Sequence, residues 1–374
     1  MSWRDLAAPA ILAAALAGCG GSKGPKPAEV PELANPAEVK VLWSASVGSA
    51  DRFVFSPALA GGAVYAASRD GSVLRLDART GRQVWRVSTD VQLSAGAGAG
   101  GSSVAVATEE GEVIALDAEN GKERWRARVS SEVLAAPAIS GGLVLVRSVD
   151  NRVFAFGELD GKRRWVSQRS PASLMVRSPA GITVAGDTAY AGFAGGKLAA
   201  IALANGGVRW EATVALPKGA TELERVTDVV GDPAVNGREV CVAAYQGRVA
   251  CYEQASGRQL WARDLSALGG VGMDARYVFV SDEKGAVHAL DRSNGQPVWK
   301  QDKLFLRQLS QPLPVGAAAA VGDFEGYVHF LARDSGAFLS RYATDRGAIR
   351  AAPVQLPNGL LVQTLNGGLY ALAP

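Results

Sequence analysis

The chain has 374 residues, 48% of them hydrophobic and 20% charged, with a net charge of only +3. That is an ordinary globular balance with ample core-forming material, and no basic run exceeds Lys162-Arg163-Arg164, so no electrostatic footprint for nucleic acid is present. Glycine stands out at 44 residues, which points to many tight turns between short strands.

The first element is a targeting segment over residues 1–18. A short polar start, Met1 to Asp5, precedes an apolar stretch from Leu6 to Ala17. The stretch is too short to cross a bilayer comfortably and fits a signal h-region. It ends in Leu16-Ala17-Gly18-Cys19, which resembles the lipobox of bacterial lipoproteins. The resemblance implies cleavage before Cys19 and its acylation. Several acyl chains, at about 0.8 kcal/mol per buried CH₂, make such attachment effectively permanent. Gly20 follows, where lipoproteins kept in the inner membrane typically carry Asp. The resemblance therefore implies the outer membrane, facing the periplasm. Residues 19–39 are rich in Gly, Pro, Lys and Glu without an apolar period, the composition of a solvated tether. About twenty residues at roughly 3.3 Å each reach on the order of 60 Å.

Residues 40–374 are governed by a repeat. One copy reads Gly71-Ser-Val-Leu-Arg-Leu-Asp77-Ala-Arg-Thr-Gly81-Arg-Gln-Val-Trp85, and others begin at Gly111, Asn151, Gly196, Gly247, Gly285 and Gly326, with a truncated copy at Gly367. A tryptophan stands fourteen positions after each start, at Trp85, Trp125, Trp165, Trp210, Trp261 and Trp299; only Ser340 breaks the series. Each unit reads as four strands. Pro57, Pro137, Pro233, Pro312 and Pro353 lie fourteen residues before a start, as suits the first residue of a strand, where no ladder N–H is required. A Gly-rich turn and an apolar strand follow, then a third strand in which Val73, Arg75 and Asp77 alternate with Leu74 and Leu76. A Thr-Gly or Asn-Gly turn leads to the Trp strand. Four strands per 40-odd residues, repeated, predict an all-β propeller of eight four-stranded antiparallel blades.

The tryptophans need no ligand to account for them, because a large ring at one place in every blade can wedge between neighbouring sheets. The last copy stops before its Trp strand, and the missing piece stands at the front as Val41-Leu42-Trp43. The N-terminal strand is therefore expected to complete blade eight and close the ring, which leaves no repeat with a bare apolar face. Cys241 and Cys251 flank a predicted hairpin turn near Tyr245-Gln246-Gly247. They could form a cross-strand disulfide in an oxidising compartment, although a slip of one residue would put them on opposite faces.

Repeats of the form Gly-x-Val-x-Ala-Leu-Asp-x-x-x-Gly-x-x-x-Trp resemble the PQQ-enzyme-type repeat of quinoprotein dehydrogenases. The chain as a whole resembles the BamB family, lipoproteins of the outer-membrane β-barrel assembly (BAM) machinery. The agreement covers the lipobox, the tether, the eight blades and the stretches TELERVTD (221–228) and GDFEGYVH (322–329). The resemblance implies a non-catalytic scaffold without cofactor that binds the periplasmic POTRA domains of BamA. Other BAM subunits and unfolded outer-membrane proteins are further partners it implies. By motif match the contact falls on Leu174, Val176, Arg177 and Asp228, while a second family carboxylate position holds Val230.

Repeat spacing marks the same places. The two longest intervals carry extra residues at about 166–178 and 211–232, both after a Trp strand and before the next blade. They are equivalent connections of adjacent blades and should emerge side by side, and long loops on a rigid scaffold are where binding usually resides. Leu174, Met175, Val176 and Arg177 suit an interface core.

The alternative reading is a small PQQ-dependent periplasmic oxidoreductase. Such enzymes typically use calcium, a catalytic Asp and often a disulfide of adjacent cysteines. The sequence has no adjacent cysteine pair. Asp77, Asp117 and Asp291 share one repeat position and suit turn chemistry, and His288 and His329 share another, each as a third-strand side chain without a ligand cluster.

Overall fold

The computed structural model describes residues 24–170 and 174–374; the signal segment, Cys19 and Ser173 lie outside the described residues. Eight four-stranded antiparallel sheets form a ring in which each blade contacts the next and the eighth contacts the first. Blades 1 to 7 span residues 58–88, 98–128, 138–168, 182–213, 229–264, 267–301 and 313–343. In each, strand order from axis to rim follows chain order. Blade 8 takes three strands from residues 354–373, and its outer strand is Lys40–Ser46, paired from Lys40↔Ala373 to Ser46↔Gly368. The chain's beginning thus closes its end, as the truncated last repeat requires.

Prolines stand at the axis where the ladder does not need their N–H. Pro57, Pro137, Pro312 and Pro353 immediately precede inner strands, and Pro233 lies inside Val229–Asn236 at a register shift between Val230 and Ala234. The third strands depart from the expected alternation. Val73, Leu74 and Leu76 are all buried. Val73 packs with Val104, Ile114 and Leu116 of blade 2, whereas Leu74 and Leu76 pack with Trp43 and Leu361 of blade 8. A blade between two neighbours has no wet face, so its middle strands are apolar on both sides.

The rim is bound by one repeated contact. Each outer-strand indole donates from Nε1 to a carbonyl of the following blade, as Trp125 does to Glu158 at 2.8 Å and Trp165 to Leu203 at 2.7 Å; Trp43 of blade 8 reaches Ala78 of blade 1 at 2.9 Å. The ring lies on the glycine of that blade's last turn. Gly161 has φ 63°, and a Cβ placed there would lie 2.6 Å from the Trp125 ring. The turn glycine therefore serves both the positive φ and the approach of the indole.

Cys241 and Cys251 are directly opposed in blade 5, Cα atoms 4.1 Å apart, both fully buried and joined as a disulfide. The register is the one that puts both side chains on the same face. The segment expected as a solvated tether does not stay free of the disc. The amides of Ala28 and Ala37 donate to the carbonyls of Phe305 and Leu339, each at 2.9 Å.

Candidate interaction surface

Two long connections meet on one side of the ring: the one from blade 3 to blade 4, described over residues 169–170 and 174–181, and residues 214–228, from blade 4 to blade 5. Asp228 joins them. Only 3% exposed, it accepts the Val176 N–H on Oδ2 and the Gly195 N–H on Oδ1, the latter at 3.0 Å. Its backbone also bridges to Ala194. Burial raises the Asp228 pKa above the usual carboxylate value, against the pull of the two amides and of Arg147. Arg147 lies below this junction, its pKa lowered to about 10 by burial. It donates to the Ala180 carbonyl at 3.1 Å and lies over the Phe193 ring, as Arg169 does.

The first loop presents Leu174, 46% exposed, and Arg177, with half-buried Val176 between them. Arg177 is ion-paired with Glu132 and lies 3.8 Å from Glu109. Glu109 in turn receives Arg52 and Arg69, each at 2.8 Å. Burial opposes ionisation of Glu109, but the two guanidiniums outweigh it and its pKa falls below the usual range. Arg52, Phe53, Leu134, Arg177 and Pro179 line a shallow cavity of about 160 Å³ beside the loop. The guanidinium of Arg177 is thus aimed by acids of blade 2 and of the connection to blade 3, with its outer side open to solvent.

The second loop owes its shape to a capping box. Glu224 Oε2 accepts the amides of Ala220 and Thr221 at 2.8 and 3.0 Å, and the Thr221 hydroxyl accepts the Glu224 amide at 3.3 Å. The turn so fixed holds Leu223 74% exposed, with Leu216 66% exposed earlier in the loop. Exposed leucines on two joined loops, one of which also exposes an arginine, are the make-up of a protein contact.

The four residues singled out from the sequence therefore converge, in two ways. Leu174 and Arg177 face outward with Val176 half-buried between them, whereas Asp228 is an internal clamp that ties Val176 to the second loop. Val230 is buried beside Cys241 and Trp261 and lies outside this surface. Sequence reasoning missed Glu132 and Glu109, because nothing in their spacing ties them to Arg177. It also missed Thr221 and Glu224, although the pattern Thr-x-x-Glu is itself a capping signal.

The residues weighed for catalysis serve turns. Asp77, Asp117 and Asp291 accept backbone N–H groups two residues ahead of them, and Asp77 and Asp117 those three ahead as well. His288 and His329 are hydrogen-bonded through Nε2 to Asp282 and Asp323 at 2.9 and 2.8 Å. These aspartates also take the amides of their own turns. The central channel, about 630 Å³, is lined mostly by proline, glycine, alanine and backbone, with Asp232 and Arg350 as its charged side chains.

Comparison with known proteins agrees with this architecture. The sequence profile of the family described as "Outer membrane protein assembly factor BamB" matches residues 33–92 and 69–301. Curated relatives of that name include those of Bordetella pertussis, 46% identical over 92% of this chain and 89% of the relative, and of Burkholderia pseudomallei, 41% identical over 98% of both. The crystal structure of BamB from Moraxella catarrhalis superposes with a TM-score of 0.83 at 27% identity, covering 90% of this chain and all of that one. Quinohemoprotein alcohol dehydrogenase from Comamonas testosteroni is similar in fold alone, with a TM-score of 0.68 at 13% identity over 89% of this chain and 76% of the enzyme. An eight-bladed ring sealed by its own N-terminal strand, with near full-length identity above 40%, leads to one conclusion: the chain belongs to the BamB family of outer membrane protein assembly factors.

Proposed function

We propose that the protein is a non-catalytic scaffold subunit of the BAM complex. It is held on the periplasmic face of the outer membrane by acylated Cys19 and binds the POTRA domains of BamA through the surface formed by residues 174–177 and 216–228. In this role it assists the folding and insertion of outer-membrane proteins. The observation that carries the reading is the pairing of family membership with a preorganised surface: the loop that exposes Leu174 and Arg177 is held by Asp228 at the Val176 amide and by Glu132 at Arg177. Preorganisation removes part of the ordering penalty of association. The oxidoreductase reading is not favoured, since the aspartates and histidines it would call on are committed to turns.

The test is capture of BamA periplasmic domains by protein carrying Leu174→Glu and Arg177→Glu. Both side chains are exposed, so the double variant should fold and melt like the parent while losing most of its binding. Undiminished capture by the folded variant rejects this surface. Calcium-dependent binding of PQQ with dye reduction would instead support the oxidoreductase.

A further inference from the structure

Seven outer strands carry a tryptophan lying on the turn glycine of the following blade, but blade 7 carries Ser340, 1% exposed, at that place. The following blade is the eighth, whose third and outer strands come from opposite ends of the chain. No turn joins them, and an eighth indole would have no glycine to lie on. The segment that leads into Lys40–Ser46 passes here instead: Val39 packs in one cluster with Leu339, Tyr342 and Tyr370.

The path back from Val39 is held at both ends. Ala37 is bonded to Leu339, the Pro31 carbonyl accepts from Arg341 at 2.7 Å, and Ala28 is bonded to Phe305. The segment thus runs counter to the outer strand Phe338–Ala343 and covers its edge, and residues 31–35 lie over Gln301 and Phe338 between blades 6 and 7. Its far end rests on a built seat. Arg307 is 1% exposed, gives Nε to Asp323 at 2.7 Å and Nη2 to Glu325, and gives Nη1 to the Ala28 carbonyl at 2.9 Å. Without the segment that charged donor would lose its partner, and burying a charged donor unpaired is costly.

We propose that the rim of blades 6 and 7 is an intramolecular docking site for residues 28–39, and that the docked strap fixes which edge of the disc faces the lipid attachment. This rests on acylation of Cys19. Nine residue steps separate Cys19 from the docked Ala28, a span of about 30 Å at most. The connection that receives Ala28 links blades 6 and 7. The connection that carries Glu132, the partner of Arg177, links blades 2 and 3. In a ring of eight these are diametrically opposed, so the strap turns the Arg177 side of the disc away from the membrane.

The experiment uses the full-length lipidated protein in phosphatidylethanolamine/phosphatidylglycerol vesicles. Hydrogen exchange of the Ala28 and Ala37 amides should be at least about tenfold slower than in free chain, and Arg341→Ala should speed it. Free-chain rates in the unaltered protein overturn the docking. Orientation is read by energy transfer to a headgroup dye from a label attached through Asp302→Cys, beside the seat, or Glu110→Cys, across the ring. Transfer should be stronger from position 302, and replacing residues 28–37 by Gly and Ser should remove the difference and lower the melting temperature, while the far-ultraviolet dichroism of the folded ring stays unchanged. Equal transfer with the native strap, or a difference that survives its replacement, overturns the orientation. If the protein fails to sediment with vesicles, acylation and the orientation fall together, while the exchange rates still decide the docking.

Discussion

The carboxylate of Asp228 holds the backbone amide of Val176, 52 residues earlier in the chain, and so makes two loops one surface. Both carboxylate oxygens are used, one by Val176 and one by Gly195. Asp228→Asn keeps the shape but turns an NH₂ toward one of these donors, leaving a buried amide unsatisfied at about 1–3 kcal/mol. The variant should stay folded and bind BamA periplasmic domains about tenfold more weakly, since 1.4 kcal/mol is tenfold. Titration calorimetry checks this, and unchanged affinity would mean the clamp does not support the contact.

Removing one rim wedge should weaken the whole ring. Trp125→Ala takes away a ring packed on Gly161 together with its Nε1 bond, and should cost about 3–5 kcal/mol. Gly161→Ala attacks the same contact from the other side, with a Cβ where the indole lies and φ 63°, and should cost about 1–3 kcal/mol. Urea unfolding of both, and of the double variant, should show strongly sub-additive losses because the two changes destroy one interaction.

Acid should weaken blade 7 before the carboxylates titrate. Burial depresses the pKa of His329 below its ordinary 6.5, more than the nearby Asp323 carboxylate restores it. The folded state therefore resists a proton that the unfolded chain accepts, and stability is lost as pH falls from 6.5 toward the folded value. Asp323 adds to this at lower pH. Burial would raise it, but His329, the Tyr327 amide and Arg307 outweigh burial and lower its pKa. Between pH 7 and 5 the urea midpoint should fall, and His329→Gln should flatten that part of the profile. An unchanged slope in the variant assigns the acid sensitivity elsewhere.

Thiol titration of the folded, oxidised protein should find neither Cys241 nor Cys251, and unfolding with reductant should release both. Reduction should lower stability by no more than about 3 kcal/mol, because the bridge closes a short loop already shaped by its hairpin. Two reactive thiols before reduction would contradict the bond.

Much of this molecule could be read from spacing alone. The register of glycine and tryptophan gives blade number, strand order and the sealing strand, because each blade repeats one packing problem. The alternation of Val73 with Leu74 misled, since periodicity shows which way a side chain points and not whether a neighbour stands there. Leu174 and Arg177 were marked by loop length and motif. The inward turn of Asp228, and the hold of Glu132 on Arg177, join residues from different blades, and no local pattern encodes such contacts. Ser340 stood out as the break in a series, but its reason lies in a turn that the chain never makes.

The two-ended eighth blade also imposes an order of events. Lys40–Ser46 leaves the ribosome early, yet its pairing partner, Gly368–Ala373, follows it by about 300 residues. Contacts at such separation form late and slow the search. Until then Lys40–Ser46 is a strand without its partner, the kind of edge that recruits other chains. A nascent copy is therefore most vulnerable to pairing with the wrong strand during the interval before its own tail arrives.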